Sequence, residues 1–262
     1  MDDAGWDMSD VGKKRIDVLL VERGLFESRS KAQAAIAAGG VRANGEAVSK
    51  PSDLIGEDAE IQAAAAHPWV GRGALKLAHA LAHWLISPED KVVLDIGAST
   101  GGFTQVCLAG GAERVYAVDV GRGQLHQQVA GDPRVVNLEG LDARKLDASH
   151  MPEPPELIVC DASFIGLEKA LPAALQLAAP GADLIALVKP QFEVGPDKVG
   201  KGGVVKDETA RQSALEGVSR FLEQSGWRVV GSVESPVEGS DGNREYLIHA
   251  RAPHEAQSAT PA

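Results

Sequence analysis

The sequence is poor in sulfur and aromatic rings. Two cysteines, Cys107 and Cys160, stand in 262 residues, both in apolar segments. That usage suits reduced thiols in a cytosolic protein and excludes a disulfide framework. There is no Cys-x-x-Cys and the seven histidines are scattered, so no metal site is expected. No window approaches the roughly 20 apolar residues of a membrane-spanning helix. The first ten residues are acidic and have no apolar core of a secretory signal, so a cytoplasmic protein with no membrane partner is expected. Positive charge is also short: 26 Lys and Arg face 37 Asp and Glu, a net charge of −11. Taken whole, that balance argues against a nucleic-acid partner. What is present is 44% hydrophobic residues, enough for one large domain or a small and a medium one.

The charge is unevenly spread. Residues 2–10 hold four Asp and no base, whereas residues 13–50 carry eight Lys and Arg against four acids. Residues 1–12 read as a disordered tail. From Lys14, apolar residues suggest a short helix stopping near Gly24, and Ser28 caps a second helix, Arg29 to Ala38, ended by Gly39-Gly40. Val41 to Val48 reads as a hairpin because Asn44-Gly45 suits a type I′ turn, and a further strand ends near Ile61. Arg15-Ile-Asp-x-Leu-Leu, Ser28-Arg-Ser-Lys-Ala-x-x-x-Ile36, Gly40-Val-x-x-Asn-Gly45 and Lys50-Pro51 together resemble the S-four-type RNA-binding domain, placed at 13–62. The resemblance implies an RNA surface, with Lys14, Arg15, Arg29, Lys31, Arg42 and Lys50 as phosphate contacts. Arg72, between two glycines, is grouped with them.

Ala63-Ala-Ala-Ala-His-Pro68 reads as a joint, and 63–73 as an interdomain linker. Strands then alternate with helices over 74–252: Val92–Ile96, Arg114–Val118, Val135–Leu138, Leu157–Cys160, Leu184–Val188, Trp227–Val233 and Tyr246–Ala250. A helix around Leu167 to Ala178, a long Gly/Lys-rich loop over 190–205 and an amphipathic helix over 207–224 complete the pattern. The implied class is α/β, a mostly parallel seven-stranded sheet with helices on both faces. Residues 253–262 read as a second disordered tail.

The stretch Asp95-Ile-Gly-Ala-Ser-Thr-Gly-Gly-Phe-Thr104 joins the first of these strands to a helix, a nucleotide-binding corner. Gly97, Gly101 and Gly102 do not have dinucleotide spacing, and the Gly-Lys-Ser/Thr of a phosphate loop is absent. Asp119, 24 positions after Asp95, ends the next strand where a carboxylate accepts ribose hydroxyls. A ligand with a ribose and a cationic centre but no phosphate fits, and S-adenosylmethionine is the common one. The stretch resembles the cofactor motif of FtsJ-like ribose 2′-O-methyltransferases. The resemblance implies a Rossmann-like class I methyltransferase domain whose cofactor residues are Asp95, Gly97, Ala98, Ser99, Gly101, Gly102, Phe103, Asp119, Asp142 and Asp161. Asp119 would take the ribose, Asp142 the adenine side, and Asp161 would lie beside the transferred methyl.

After the fourth strand stands Cys160-Asp-Ala-Ser-Phe164, without the Pro-Pro of base-amine enzymes. Both cysteines lie in core-type segments, which disfavours a thiolate nucleophile. A hydroxyl acceptor remains, and it needs a base. A lysine serves only where desolvation or a neighbouring cation favours its neutral form. Lys76, Asp161, Lys189 and Glu245 are similar, in order and flanking residues, to the Lys-Asp-Lys-Glu tetrad of FtsJ-like enzymes. That resemblance implies Lys189 as base, Lys76 as the neighbouring cation, and Asp161 and Glu245 as orienting acids. Spacing alone leaves open which lysine is the base. The two modules in tandem, with Trp69-Val-Gly-Arg-Gly between them, resemble the TlyA-type (haemolysin A) family. This implies methylation of cytidine 2′-hydroxyls in small- and large-subunit rRNA, with rRNA or ribosomal subunits as partners. An RNA- or ribosome-binding factor with a vestigial methyltransferase domain, and a haemolysin-like activity, are the alternatives. The target nucleotide and the oligomeric state stay open.

Overall fold

The structure, a computed structural model, describes residues 12–239 and 242–254. It divides into two compact units between Pro68 and Trp69. The two expected tails, apart from Gly12, Pro253 and His254, lie outside the described residues.

The first unit is built from β1 (Lys13–Arg15), α1 (Ile16–Glu22), α2 (Arg29–Ala37), β2 (Val41–Ala43), β3 (Glu46–Ala47), β4 (Leu54–Gly56) and β5 (Ile61–Ala63). Ser28 caps α2 by accepting from the Lys31 amide at 3.3 Å. Asn44 and Gly45 have φ of 49° and 82°, the paired positive values of a type I′ turn between β2 and β3. The expected helix from Lys14 is corrected at its start: Lys13–Arg15 is a strand, antiparallel to β4. Three residues are too few to show an alternation, so the pairing carries no sequence signal. β5 ends one residue beyond 62: Ala63 is paired with Val41, and the Ala64 amide donates to Gly40 O at 2.8 Å.

Ile16, Leu20, Ala32, Ala35, Ile36, Val41, Ala43 and Val48 form its core. Among them Asp17 is fully buried. Its carboxylate accepts from Arg15 Nε at 3.0 Å, from Arg29 at 2.8 Å and from Gln33 Nε2 at 2.8 Å. These donors, Arg15 foremost, hold the carboxyl well below the usual carboxylate range against the pull of burial.

The second unit continues with α3 (Ala74–Trp84), β6 (Val92–Ile96), α4 (Gly102–Ala109), β7 (Arg114–Asp119), α5 (Gln127–Ala130), β8 (Val135–Glu139), β9 (Leu157–Cys160), α6 (Leu167–Ala170), α7 (Pro172–Leu177), β10 (Asp183–Val188), α8 (Pro190–Glu193), α9 (Glu208–Gln224), β11 (Arg228–Glu234) and β12 (Tyr246–Arg251). One seven-stranded sheet has the order β11-β12-β10-β9-β6-β7-β8, parallel except for β12, which runs antiparallel to both neighbours. Successive residues of the central strands feed opposite faces. Leu94, Ile158 and Leu184 pack with Leu167, Leu171 and Leu222, while Val93, Val159 and Ile185 pack with Leu77, Phe103 and Val106. Both faces are therefore covered, which is why these strands read as unbroken apolar runs. The expected single helix from 167 is two, because Pro172 starts α7.

Asp17→Asn should lower the stability of the first unit by about 2 kcal/mol, since it removes a buried charged acceptor from several donors. Because the folded carboxyl is depressed, its contribution is complete above the unfolded value near 4 and fades as the pH falls below it. Denaturation of wild type and variant at pH 7 and pH 3 checks both statements; equal loss at the two pH values would contradict the assignment.

Candidate active site

The carboxyl ends of β6, β7, β9 and β10 converge on one edge of the sheet, and a cleft of about 1260 Å³ opens there. Gly97, Ser99, Asp119, Asp142 and Asp161 line it. Leu141, Ala143, Gly121, Gln124 and Ser163, which sequence reasoning did not select, line it too.

Close approach decides the shape of the glycine corner. Gly97 has φ 78°, and a Cβ there would lie 2.9 Å from the Ala162 backbone nitrogen and Cα. Gly101 has φ 91°, and its Cβ would meet Leu125 at 2.8 Å. Ser99 adopts φ 47°, which turns its amide to donate to Asp119 Oδ2 at 2.8 Å. The other Asp119 oxygen accepts from the Gly121 amide at 2.7 Å. Asp119 is thus oriented by two backbone donors and keeps further lone pairs toward the cleft. Asp142 accepts from the Arg144 amide and from its Nε, each at 3.0 Å, and Arg144 holds its carboxyl down at about 2.

The remaining corner residues build the turn and do not line the cleft. Ala98 is buried, its amide donating to Val118 O at 3.1 Å. Gly102 lets α4 approach α3: a Cβ would be 3.2 Å from the Ala74 nitrogen. Phe103 is 3% exposed and packs in the core with Leu77. Asp95 is fully buried and accepts from Thr104 Oγ1 at 2.6 Å, while its Oδ1 has no partner. Burial pushes its carboxyl up to about 7, against the Thr104 hydrogen bond.

The four tetrad residues come together as two ion pairs at the same edge. Lys76 and Lys189 are each 7% exposed. Lys76 Nζ meets Glu245 Oε2 at 2.5 Å. Lys189 Nζ meets Asp161 Oδ1 at 2.7 Å and donates to Asp161 O at 3.2 Å and Ser163 Oγ at 2.7 Å. The contact with Asp161 Oδ1 is an ion pair without hydrogen-bond alignment. The pairs are neighbours through the sheet: Val188 of β10 is opposite Tyr246 of β12, so Lys189 and Glu245 flank one another just beyond the last register pair. α3 ties in from its first turn. The Lys76 amide donates to Gly73 O at 2.9 Å, and a Cβ on Gly73 would lie 3.2 Å from Asp161 Oδ2.

Asn243 and Glu193 also escaped sequence reasoning. Asn243 is 1% exposed; it accepts from the Val205 amide at 2.9 Å and donates to Gly203 O at 2.9 Å, pinning the end of the 190–205 segment beside the turn that delivers Glu245. Its place in the short polar turn Gly242-Asn-Arg-Glu245 that leads into an apolar strand was the available signal. Glu193 accepts from the Leu167 amide at 2.9 Å, and burial raises its carboxyl to about 7. Cys107 and Cys160 are fully buried, and burial pushes the Cys160 thiol up to about 12, which removes both as nucleophiles at neutral pH.

Among the basic residues of the first unit, Arg15 and Arg29 are held by Asp17. Lys14 pairs with Glu22 and Glu57, Lys31 with Glu27, and Arg42 donates to Gly45 O. The Lys50 amide donates to Asp53. Arg72 belongs to the second unit, where it donates to Glu238 O at 3.4 Å.

A doubly wound sheet with a carboxylate at the second strand end, a Lys–Asp pair across the fourth and fifth, and a Lys–Glu pair between α3 and the start of β12 fits a methyltransferase. The FtsJ-like methyltransferase profile matches residues 69–252 and the S4 domain profile residues 14–61, and the chain belongs to the FtsJ-like methyltransferase family. It is 43% identical to the 16S/23S rRNA (cytidine-2′-O)-methyltransferase TlyA of Mycobacterium tuberculosis over 91% of this chain and 90% of the relative. It is also 38% identical to Hemolysin A of Brachyspira hyodysenteriae, over 90% of this chain and 98% of that one. A solved structure described as a candidate hemolysin from Streptococcus thermophilus is similar at 40% identity, with a TM-score of 0.73 over 96% of this chain and 92% of the other.

Gly97→Ala should leave a folded protein whose affinity for S-adenosylmethionine is at least tenfold weaker, because the added methyl displaces the Ala162 backbone at the cleft; calorimetric titration checks this. A raised acid also has a stability consequence. Asp95 binds its proton more tightly in the fold, so stability should fall as the pH rises from about 4 to about 7. Asp95→Asn should flatten that slope in denaturation experiments at pH 5 and pH 8, and an unchanged slope would remove Asp95 as its source.

Proposed function

We propose that this protein transfers the methyl group of S-adenosylmethionine to a ribose 2′-hydroxyl of cytidine in rRNA, acting on ribosomal subunits. The observation that carries the reading is the pair of buried lysine–carboxylate contacts, Lys76 with Glu245 and Lys189 with Asp161, at the edge where the cleft opens. A curated relative, similar over 91% of this chain, carries the corresponding activity in its name.

The cleft fits S-adenosylmethionine by its donor set. Its corner carries no lysine for a pyrophosphate; Asp119 would hold a ribose diol, and Asp142, in the lining and bonded to Arg144, would serve the adenine side. Asp161, in the cleft lining and paired with Lys189, would lend negative charge to a cationic centre. When bound, this cofactor supplies a methyl group on a sulfonium, electrophilic enough to need no metal.

The chain's own residues then deal with the hydroxyl. Lys189 takes the 2′-hydroxyl proton as the methyl arrives, and Asp161 fixes its ammonium through both its carbonyl and its carboxylate. Lys76 is the second cation at this edge and holds the hydroxyl oxygen, with Glu245 keeping its charge compensated out of water. The first unit holds RNA by its phosphates, through Arg15, Arg29, Arg42 and the neighbouring lysines. A lytic role has no support in the fold: among the described residues no helix is long and apolar enough to cross a membrane.

Incubation with ribosomal subunits and tritiated S-adenosylmethionine should place label on a cytidine 2′-oxygen. Lys189→Ala should reduce transfer to background while the calorimetric affinity for S-adenosylmethionine stays within about threefold. Retained turnover would take the base role away from Lys189.

A further inference from the structure

Lys189 is 7% exposed and does not line the cleft, yet it is the proposed base. Two of its contacts go to Asp161, one to the carbonyl and one to the carboxylate, and both oxygens can only accept. The third goes to the hydroxyl of Ser163, at 2.7 Å. Ser163 is exposed and lines the cleft. A hydroxyl donates and accepts at once, so among these contacts Ser163 alone can pass a proton from the cleft to the buried amine.

The loop that carries it is held firmly for that role. Its first residue, Asp161, donates its amide to Ile96 O at 2.9 Å, and its far end is clamped by Glu193, which accepts from the Leu167 amide. Glu193 ends α8, the helix that begins directly after Lys189. Phe164, next to Ser163, adopts φ 65°, and its exposed ring meets Phe192 of α8 at a centroid distance of 5.3 Å.

We propose that the Ser163 hydroxyl relays the proton from the acceptor hydroxyl to Lys189. The inference rests on the reading of Lys189 as base. In the step, the 2′-oxygen forms its bond to the methyl carbon as the carbon–sulfur bond breaks and its electron pair stays on sulfur. The 2′-hydroxyl proton moves to Ser163 Oγ while the serine's own proton moves to the neutral Lys189 amine. The products are the methyl ether, the thioether, an intact serine and the Lys189 ammonium, which later yields its proton to solvent.

Single-turnover methyl transfer to ribosomal subunits, run in wild type, Ser163→Ala and Ser163→Thr, tests this. Ser163→Ala should slow the step about 100-fold or more, in the range of a lost proton-transfer group. Calorimetric affinity for S-adenosylmethionine, the KM for RNA and the thermal midpoint should stay unchanged. Ser163→Thr, which keeps the hydroxyl, should restore most of the rate. The rate plotted against deuterium fraction should be bowed in wild type, with two protons in flight, and straight in Ser163→Ala. A Ser163→Ala rate within about threefold of wild type, or Thr and Ala variants that are equally slow, would overturn the relay and leave the methyltransferase reading standing. A wild-type protein that labels no 2′-oxygen would overturn both.

Discussion

The proposed catalytic edge depends on pairing two lysines out of water. Lys76 and Lys189 are nearly inaccessible, and an uncompensated charge at such a position costs several kcal/mol. Each needs its own carboxylate, delivered from a different part of the chain. Asp161 arrives on β9, the parallel neighbour of β10 that carries Lys189. Glu245 arrives because β12 is reversed: it enters the sheet at the edge where the parallel strands leave it, so the residue before β12 falls beside the residue after β10. One antiparallel strand in an otherwise parallel sheet is what completes the charge balance. Gly239 and Gly73 then leave room for the carboxylates. A Cβ on Gly239 would come within 2.6 Å of Glu245 Oε1, and one on Gly73 within 3.2 Å of Asp161 Oδ2.

Much of this was legible because the physics repeats along the chain. Central strands covered on both faces appear as apolar runs, and acids that end them, Asp119 and Asp161, are placed by position alone. The amphipathic helix at 208–224, with Asp207 accepting from the Thr209 amide at its start, is visible through periodicity and cap together. What stayed hidden lacks a period. β1 and β4 pair over three residues each, and Pro172 divides a segment whose apolar spacing continues through the break at Leu167, Leu171 and Ala174. The polyalanine stretch after 62 carries no pattern that distinguishes a linker from the close of β5. Motif membership also says nothing about which way a side chain points. Phe103 belongs to the cofactor stretch but faces the core, and Ser163, a single hydroxyl in a loop, faces the cleft.

The first unit resolves the contradiction between a net charge of −11 and an RNA surface. Its buried Asp17 does not merely cancel charge. It holds both Arg15 and Arg29, whose side chains remain 46% and 54% exposed. Exposed partners such as Glu27 for Lys31 are different in kind. Surface ion pairs of this type are worth at most about 1 kcal/mol, so a phosphate can displace them at little cost. In the proposed reading, recognition would gain oriented guanidiniums from the buried acid and exchangeable lysines from the surface acids. Both contributions weaken with salt through the release of counterions from RNA.

The glycine corner joins the cofactor side of the cleft to the acceptor side. Gly97 has no side chain because the Ala162 backbone occupies the space, and Ala162 stands between Asp161 and Ser163. The backbone that shapes the corner therefore presses on the loop that contacts Lys189. The proposed preference for a hydroxyl acceptor draws on the same packing. Cys160, one residue earlier, is sealed beneath this contact with its thiol raised to about 12, so it cannot compete as a nucleophile. An amine acceptor could react through its own lone pair, but a hydroxyl has to lose a proton as the new bond forms. An edge furnished with two charge-compensated lysines, one of them bonded to an exposed serine hydroxyl, addresses that second requirement.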